Sequence, residues 1–189
     1  MDYNIGDIPD VLPILEEVCA NVGFTMPSDR EVGSLLRTLC LSKPSGQFLE
    51  LGTGIGLSLA WIIDGSIRES HITSIDNDPE LISIVKTYFD EEEHVEILCE
   101  DAGTWIEKNS KKSFDLIFAD AWPGKYSHTD EILEMVAQGG FYIVDDMNEQ
   151  KNWPDGHTMN VENLVKTLSM RDDFKVVKLN WSTGILLCV

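Results

Sequence analysis

Five short apolar runs, separated by stretches of helical periodicity, constrain this chain more than any other feature. They are FLEL (48–51), HITSID (71–76), VEILCE (95–100), FDLIFAD (114–120) and FYIVDD (141–146). Strands this apolar are buried on both faces, as happens when helical crossovers cover a parallel sheet. The periodicity predicts helices over GLSLAWIID (56–64), PELISIVKTYF (79–89, proline in the first turn) and near 103–109, 127–137 and 157–171. Gly139-Gly140 reads as the turn into the fifth strand. FKVVKLNW (174–181) and TGILLCV (183–189) meet at Ser182 to Gly184, too short a link for a crossover, so they form an antiparallel hairpin. Two further helices are expected at 8–23 and 28–41, the second started by a capping box of Ser28 and Glu31. The fold class is therefore α/β, a doubly wound Rossmann-like sheet with helices on both faces, N-terminal helices and one reversed strand near its C-terminal edge.

Composition narrows the partners. The 189 residues suit one domain, and 43% hydrophobic with 25% charged residues is globular. A net charge of −19 repels phosphate backbones, so nucleic acid is an unlikely partner and a small molecule the expected one. No apolar stretch approaches the roughly 18 residues of a membrane span. The first ten residues lack a basic, then apolar, leader, so the expected location is cytoplasmic. Cys19, Cys40, Cys99 and Cys188 lie far apart in unlike contexts and read as buried free thiols.

The first strand leads into a glycine loop, ELGTGIGLS. In a doubly wound sheet, ligands bind outside the carboxyl ends of the strands. Gly52, Gly54 and Gly56 let backbone lie close to such a ligand, and the following helix offers free N–H groups. A dinucleotide fingerprint requires a third glycine where this chain has Leu57. Glu50 sits poorly beside a pyrophosphate but suits a ligand carrying an ammonium and a sulfonium. That combination points to S-adenosylmethionine. Asp76, with Asn77 beside it, ends the second strand where a carboxylate can accept from both ribose hydroxyls. Asp101 can accept from an adenine amino group while the Ala102 N–H donates to the ring.

ELGTGIGLS, SIDNDPE, CEDAG and FDLIFADAW together resemble the class I S-adenosylmethionine-dependent methyltransferases, and more narrowly the catechol and caffeoyl-CoA type of O-methyltransferase. The resemblance runs from about Met26 to the C-terminus. It implies the sheet order 3-2-1-4-5-7-6 with strand 7 reversed. It also implies that Ser58 helps hold the methionine carboxylate, that Met26 and the first helices lie over the cofactor and form part of a substrate lid, and that a homodimer is a possible assembly. On this reading residues 1–189 form one methyltransferase domain, with a helical cap at 1–45 and a cofactor-binding core at 46–189.

Asp120 ends the fourth strand, while Asp145 and Asp146 end the fifth. Neighbouring strands lie about 4.8 Å apart, so three carboxylates crowd one corner beside the cofactor, with Asp120 facing both. Crowded like charges call for a proton or a cation. Oxygen-only ligands favour a hard ion, Mg²⁺ or Ca²⁺. In the catechol-type enzymes the matching positions hold a divalent metal, commonly through Asp, Asp and Asn, and here the third is Asp146. Those enzymes place a lysine base three residues after the first aspartate, where this chain has Pro123; Lys125 follows two residues later. The segments DAWPGKY and Trp153-Pro154-x-Gly156-His157 are similar to bacterial methyltransferases of unassigned substrate. Lys125 and His157 are thus the two expected catalytic residues. Trp122 and Trp153 are placed to wall an aromatic acceptor.

The expected activity is O-methylation of a small hydroxylated, catechol-like acceptor with a divalent ion assisting. Three alternatives remain at this level. One is metal-free methyl transfer to a tRNA base, nitrogen or carbon. Another is a nicotinamide-dependent oxidoreductase, and the third is a protein that binds the cofactor without turnover.

Overall fold

The computed structural model describes residues 6–150, 153 and 156–189. Two helices, α1 (Leu12–Val22) and α2 (Arg30–Leu41), lead into β1 (Gln47–Leu51). Then follow α3 (Leu57–Asp64), β2 (His71–Asp76), α4 (Pro79–Phe89), β3 (Val95–Cys99) and α5 (Ala102–Asn109). The chain closes with β4 (Phe114–Ala119), α6 (Thr129–Glu134), β5 (Val136–Val144), α7 (His157–Ser169), β6 (Val176–Leu179) and β7 (Ile185–Cys188). The seven strands form one sheet in the order β3-β2-β1-β4-β5-β7-β6. β7 pairs antiparallel with both β5 and β6, and every other pairing is parallel.

Each strand divides its side chains between two cores. Phe48, Leu116, Phe118 and Ile143 face the layer that holds Leu15, Leu36 and Trp61. Leu49, Leu51, Ile117 and Val144 face the layer of Trp105, Ile132, Leu164 and Leu168. Period-two alternation of strand side chains therefore operates inside runs that look uniformly apolar. It also places Glu50 in the interior, fully buried and in register with Ser74 on β2.

Three local expectations are corrected. Gly139-Gly140 is not a turn outside the sheet: β5 runs through it, with Phe114 opposite Val136 and Leu116 already opposite Phe141. The extra residues form a bulge, which Gly139 permits with φ 72°. A Cβ on Gly140 would lie 2.8 Å from the Ala137 carbonyl oxygen. The preceding helix, α6, is correspondingly shorter than 127–137. Next, α1 begins at Leu12 and not near residue 8, because the ring of Pro13 excludes a helical turn before it. Finally, α2 is capped by Asp29, whose side chain accepts from Val32 N at 3.0 Å. Ser28 instead turns its hydroxyl towards Asp120 Oδ2 at 3.4 Å. The four cysteines are free thiols, three buried and Cys99 exposed. Among the described residues no helix is long and apolar enough to cross a membrane.

Candidate active site

Two cavities open side by side at the carboxyl ends of β1, β2, β4 and β5. The first, about 310 Å³, is lined by the glycine loop, Ser58, Asp76, Asn77 and the 24–28 segment. Asp76 ties the loop to β2: its Oδ2 accepts from Gly54 N at 2.9 Å and its Oδ1 from Asp78 N at 3.0 Å. Gly52 has φ 99°, and a Cβ there would lie 2.8 Å from the Asp120 carbonyl oxygen. The first glycine therefore answers to the end of β4 as well as to a ligand. Gly56, with φ 85°, starts α3 without a side-chain cap, leaving first-turn N–H groups for an incoming acceptor.

Glu50 lies beneath this loop. Ser74 Oγ donates to its Oε2 at 2.5 Å and also lies 2.7 Å from Thr53 Oγ1. Oε1 is buried without a hydrogen-bond partner among the described residues. Burial pushes the carboxyl up to about 7; the Ser58 and Ser74 hydroxyls oppose the rise, and the charge of Asp76 adds to it. Asp101 and Ala102 line neither cavity. Asp101 is exposed and caps α5, accepting from Thr104 N at 2.8 Å, and this backbone bond holds its carboxyl below the usual range.

The second cavity, about 250 Å³, shares Met26, Pro27, Ser28, Asp120, Ala121 and Asp146 with the first. Its far side is aromatic. The His157 ring lies 4.5 Å from Trp153, 5.1 Å from Tyr126 and 6.0 Å from Trp122. Tyr126 and Trp122 meet edge-on at 5.0 Å. His157 Nε2 is 3.1 Å from the Tyr126 hydroxyl. Burial, and then the charge of Lys125, lower the imidazole pKa from its ordinary value and favour the neutral ring, with the charge of Asp146 opposing. Pro154, part of the same motif, lies outside the described residues.

Lys125 is 4% exposed and reaches the carboxylates, Nζ standing 3.8 Å from Asp146 Oδ2. Burial drives the Asp120 carboxyl well up, with the Asp145 charge adding to it and Lys125 opposing. Burial likewise raises Asp145 to about 6. Asp145 Oδ1 accepts from the Thr183 hydroxyl and from Asp146 N. Asp146 holds the left-handed conformation, φ 59°, unusual for a residue with a side chain.

This donor set does not fit the expected Mg²⁺ or Ca²⁺ site. Among the described residues, no three His, Cys, Asp or Glu side chains are grouped to hold a metal ion. One oxygen of Asp145 is already engaged twice, and an ammonium stands beside Asp146. The sequence expected Asp120, Asp145 and Asp146 at one corner and Lys125 acting beside them, and the structure lines the second cavity with all four. Sequence reasoning missed Tyr126 and Thr183. Tyr126 had a signal, its place in DAWPGKY. Thr183 had none, because it arrives through the antiparallel pairing of β7 with β5, with Asn148 N donating to its carbonyl at 2.7 Å.

A doubly wound sheet with a glycine loop after its first strand and an acidic residue closing its second defines a nucleoside-cofactor domain. The chain belongs to the methyltransferase domain family, whose model matches residues 49–147. A "putative O-methyltransferase" of Mycolicibacterium vanbaalenii is 30% identical over 118 residues, 60% of this chain and 52% of the relative. The chain thus spans about half the length of the curated relatives it matches. Among solved structures, the O-methyltransferase from Bacillus cereus in complex with SAH superimposes with a TM-score of 0.82 at 18% identity, covering 100% of this chain and 93% of that one. The O-methyltransferase TomG from Streptomyces achromogenes, in complex with SAM, gives 0.82 at 18% identity over 95% and 89%. At these identities the solved structures speak for the fold.

Proposed function

We propose that this chain is an S-adenosylmethionine-dependent O-methyltransferase of a small, hydroxylated aromatic acceptor. The observation that carries this reading is the pair of adjoining cavities, one floored by the glycine loop and Asp76, the other walled by Trp122, Tyr126, Trp153 and His157. Family membership and the names of the relatives point the same way.

S-adenosylmethionine would occupy the first cavity, with Asp76 and Asn77 towards its ribose, Ser58 and the start of α3 towards its methionine carboxylate, and Glu50 supplying negative charge beneath the loop. Its methyl group would be offered past Asp120 and Asp146, which line both cavities, to an acceptor in the second. There the aromatic rings hold a planar acceptor with one hydroxyl towards the methyl group. The Tyr126 hydroxyl takes the acceptor proton and passes its own to His157 Nε2, 3.1 Å away, on a ring whose lowered pKa favours the neutral form that can receive it. The oxyanion attacks the methyl carbon in line; an O–CH₃ bond forms, the S–CH₃ bond breaks, and S-adenosylhomocysteine leaves. Placement of two reactants in adjoining cavities supplies much of the rate.

The test is calorimetric titration with S-adenosylhomocysteine, followed by mass spectrometry of a phenol and catechol panel incubated with methyl-labelled cofactor. Nucleoside binding with a gain of one methyl on oxygen is the expected result. Binding without transfer to any acceptor would reduce the chain to a cofactor-binding protein. Binding of NADH in place of the nucleoside would overturn the assignment of the glycine loop.

A further inference from the structure

Three carboxylates at the end of one sheet need a compensating charge, and the structure contains one. We infer that the Lys125 ammonium is the resident cation of the acceptor site, pairing with Asp146 and receiving the acceptor oxyanion, so that methyl transfer proceeds without a divalent metal. The inference rests on the methyltransferase reading above and names the group that stabilises the reacting oxygen.

Lys125 is held there, not merely near. Its side chain is 6% exposed, against 38% for its partner Asp146. Lysines so buried are rare and costly unless their charge is met by a partner. The loop that carries it is fixed on both sides. The buried Tyr142 hydroxyl donates to the Gly124 carbonyl at 2.5 Å, and Thr129 Oγ1 donates to the Lys125 carbonyl at 3.2 Å. Tyr126 N donates to Trp122 O at 2.9 Å and Gly124 N to Ser127 O at 2.7 Å. Gly124 takes φ 85° and packs so closely on β1 that a Cβ would lie 2.4 Å from Leu51 Cδ1. The loop thus rests on the sheet through its glycine and aims the following lysine at the carboxylates.

The carboxylates are arranged for an ammonium as well. Asp146 turns into the left-handed region, a conformation that costs about 1–2 kcal/mol and persists where surroundings enforce it. Asp145 has an oxygen occupied by Thr183 and by Asp146 N, so it is poorly placed to ligate a metal through that atom. Lys125 lines the same cavity as Asp120, Asp145, Asp146, Tyr126 and His157, the groups around the proposed acceptor. When the acceptor hydroxyl loses its proton, the new negative charge lies between this ammonium and the cofactor sulfonium. The sulfonium is consumed in the reaction and the ammonium is not.

The experiment has a binding arm and a turnover arm. In the first, Mn²⁺ is titrated into chelator-stripped protein with saturating S-adenosylhomocysteine, and free Mn²⁺ is counted by electron paramagnetic resonance. No stoichiometric site is expected; one tightly held equivalent would overturn the inference whether or not an acceptor is known. In the second, the transfer rate in EDTA is expected within about twofold of the rate with Mg²⁺, and a tenfold loss restored by Mg²⁺ would overturn it. Lys125→Met is expected to lower kcat by about 10²- to 10³-fold, the range for losing one oxyanion partner. Its Kd for S-adenosylhomocysteine should stay within about threefold, and Lys125→Arg should recover part of the rate. Full activity in folded Lys125→Met, or none in folded Lys125→Arg, would count against an ammonium role. Should no acceptor be methylated by the wild type, the functional reading fails while the Mn²⁺ titration still decides the cation.

Discussion

Glu50→Gln tests the idea that this interior carboxyl is kept for a ligand at a cost to the free protein. Glu50 is fully buried, bonded through Oε2 to Ser74, and has no partner on Oε1 among the described residues. Its carboxyl is raised from an ordinary value of about 4.5 to about 7. The folded state therefore holds this proton more tightly than the unfolded chain does. The contribution is fully present below about pH 4.5, is lost as pH rises towards 7, and is constant above. At about 1.36 kcal/mol per pH unit, the interval is worth about 3 kcal/mol. Glutamine imitates the protonated carboxyl and cannot ionise. Relative to the wild type, Glu50→Gln should thus be near neutral at pH 4.5 and more stable by about 3 kcal/mol at pH 7.5, raising Tm by roughly 6–12 °C for a chain of this size. Urea unfolding at several pH values, without ligand, measures it, and taking the difference between the two proteins removes the other titrating groups. The same variant should bind S-adenosylmethionine less well, the usual exchange of stability for function. Stability curves that stay parallel from pH 4.5 to 7.5 would refute the argument.

The other predictions concern single contacts. Rates should fall on acidification through a pKa below 6.5 as His157 becomes charged; His157→Gln should lower kcat about 10²-fold and abolish that limb, and a limb that survives would remove the Tyr126–His157 relay. Asp76→Ala deprives Gly54 N and Asp78 N of their acceptor, so calorimetry should show at least tenfold weaker S-adenosylhomocysteine binding, with about 1–3 kcal/mol lost from stability. Gly124→Ala forces a side chain into φ 85° and against Leu51; it should cost about 1–3 kcal/mol and most of the turnover, while the cofactor Kd changes little.

A parallel sheet closed by an antiparallel hairpin was readable because each strand is a compact apolar run and a parallel strand needs a crossover; the order of the strands came from the resemblance to the methyltransferases, and the sheet has that order. What sequence could not decide was how polar groups share partners. Ser28 and Asp29 are both good caps, and the choice went to Asp29 because Ser28 is drawn towards Asp120. Asp101 was read as an adenine contact from its place after β3, yet in the free protein it is occupied as the cap of α5. Gly139-Gly140 carried a true signal of unusual backbone, but a bulge and a turn leave the same residues behind. At the corner of Asp120, Asp145 and Asp146, strand ends located the acids. The lysine among them depends on the Tyr142–Gly124 bond and on the fit of Gly124 against Leu51, neither visible from spacing.

The placement of β7 between β5 and β6 also divides what the two cavities require. Every residue lining the first cavity lies between Phe24 and Asp146, so that half of the candidate site needs only the first five strands. The second cavity also requires Trp153, His157 and Thr183. Thr183 stands just before β7, and its carbonyl meets Asn148 N where β7 pairs with β5, between β5 and β6. Without β7, β5 presents an open edge, and Asp145 lacks the hydroxyl that holds it. On the proposed function, a partly unfolded chain with its first five strands paired would hold the nucleoside while having no place for an acceptor, and the methyl group would meet a formed pocket only in the finished molecule.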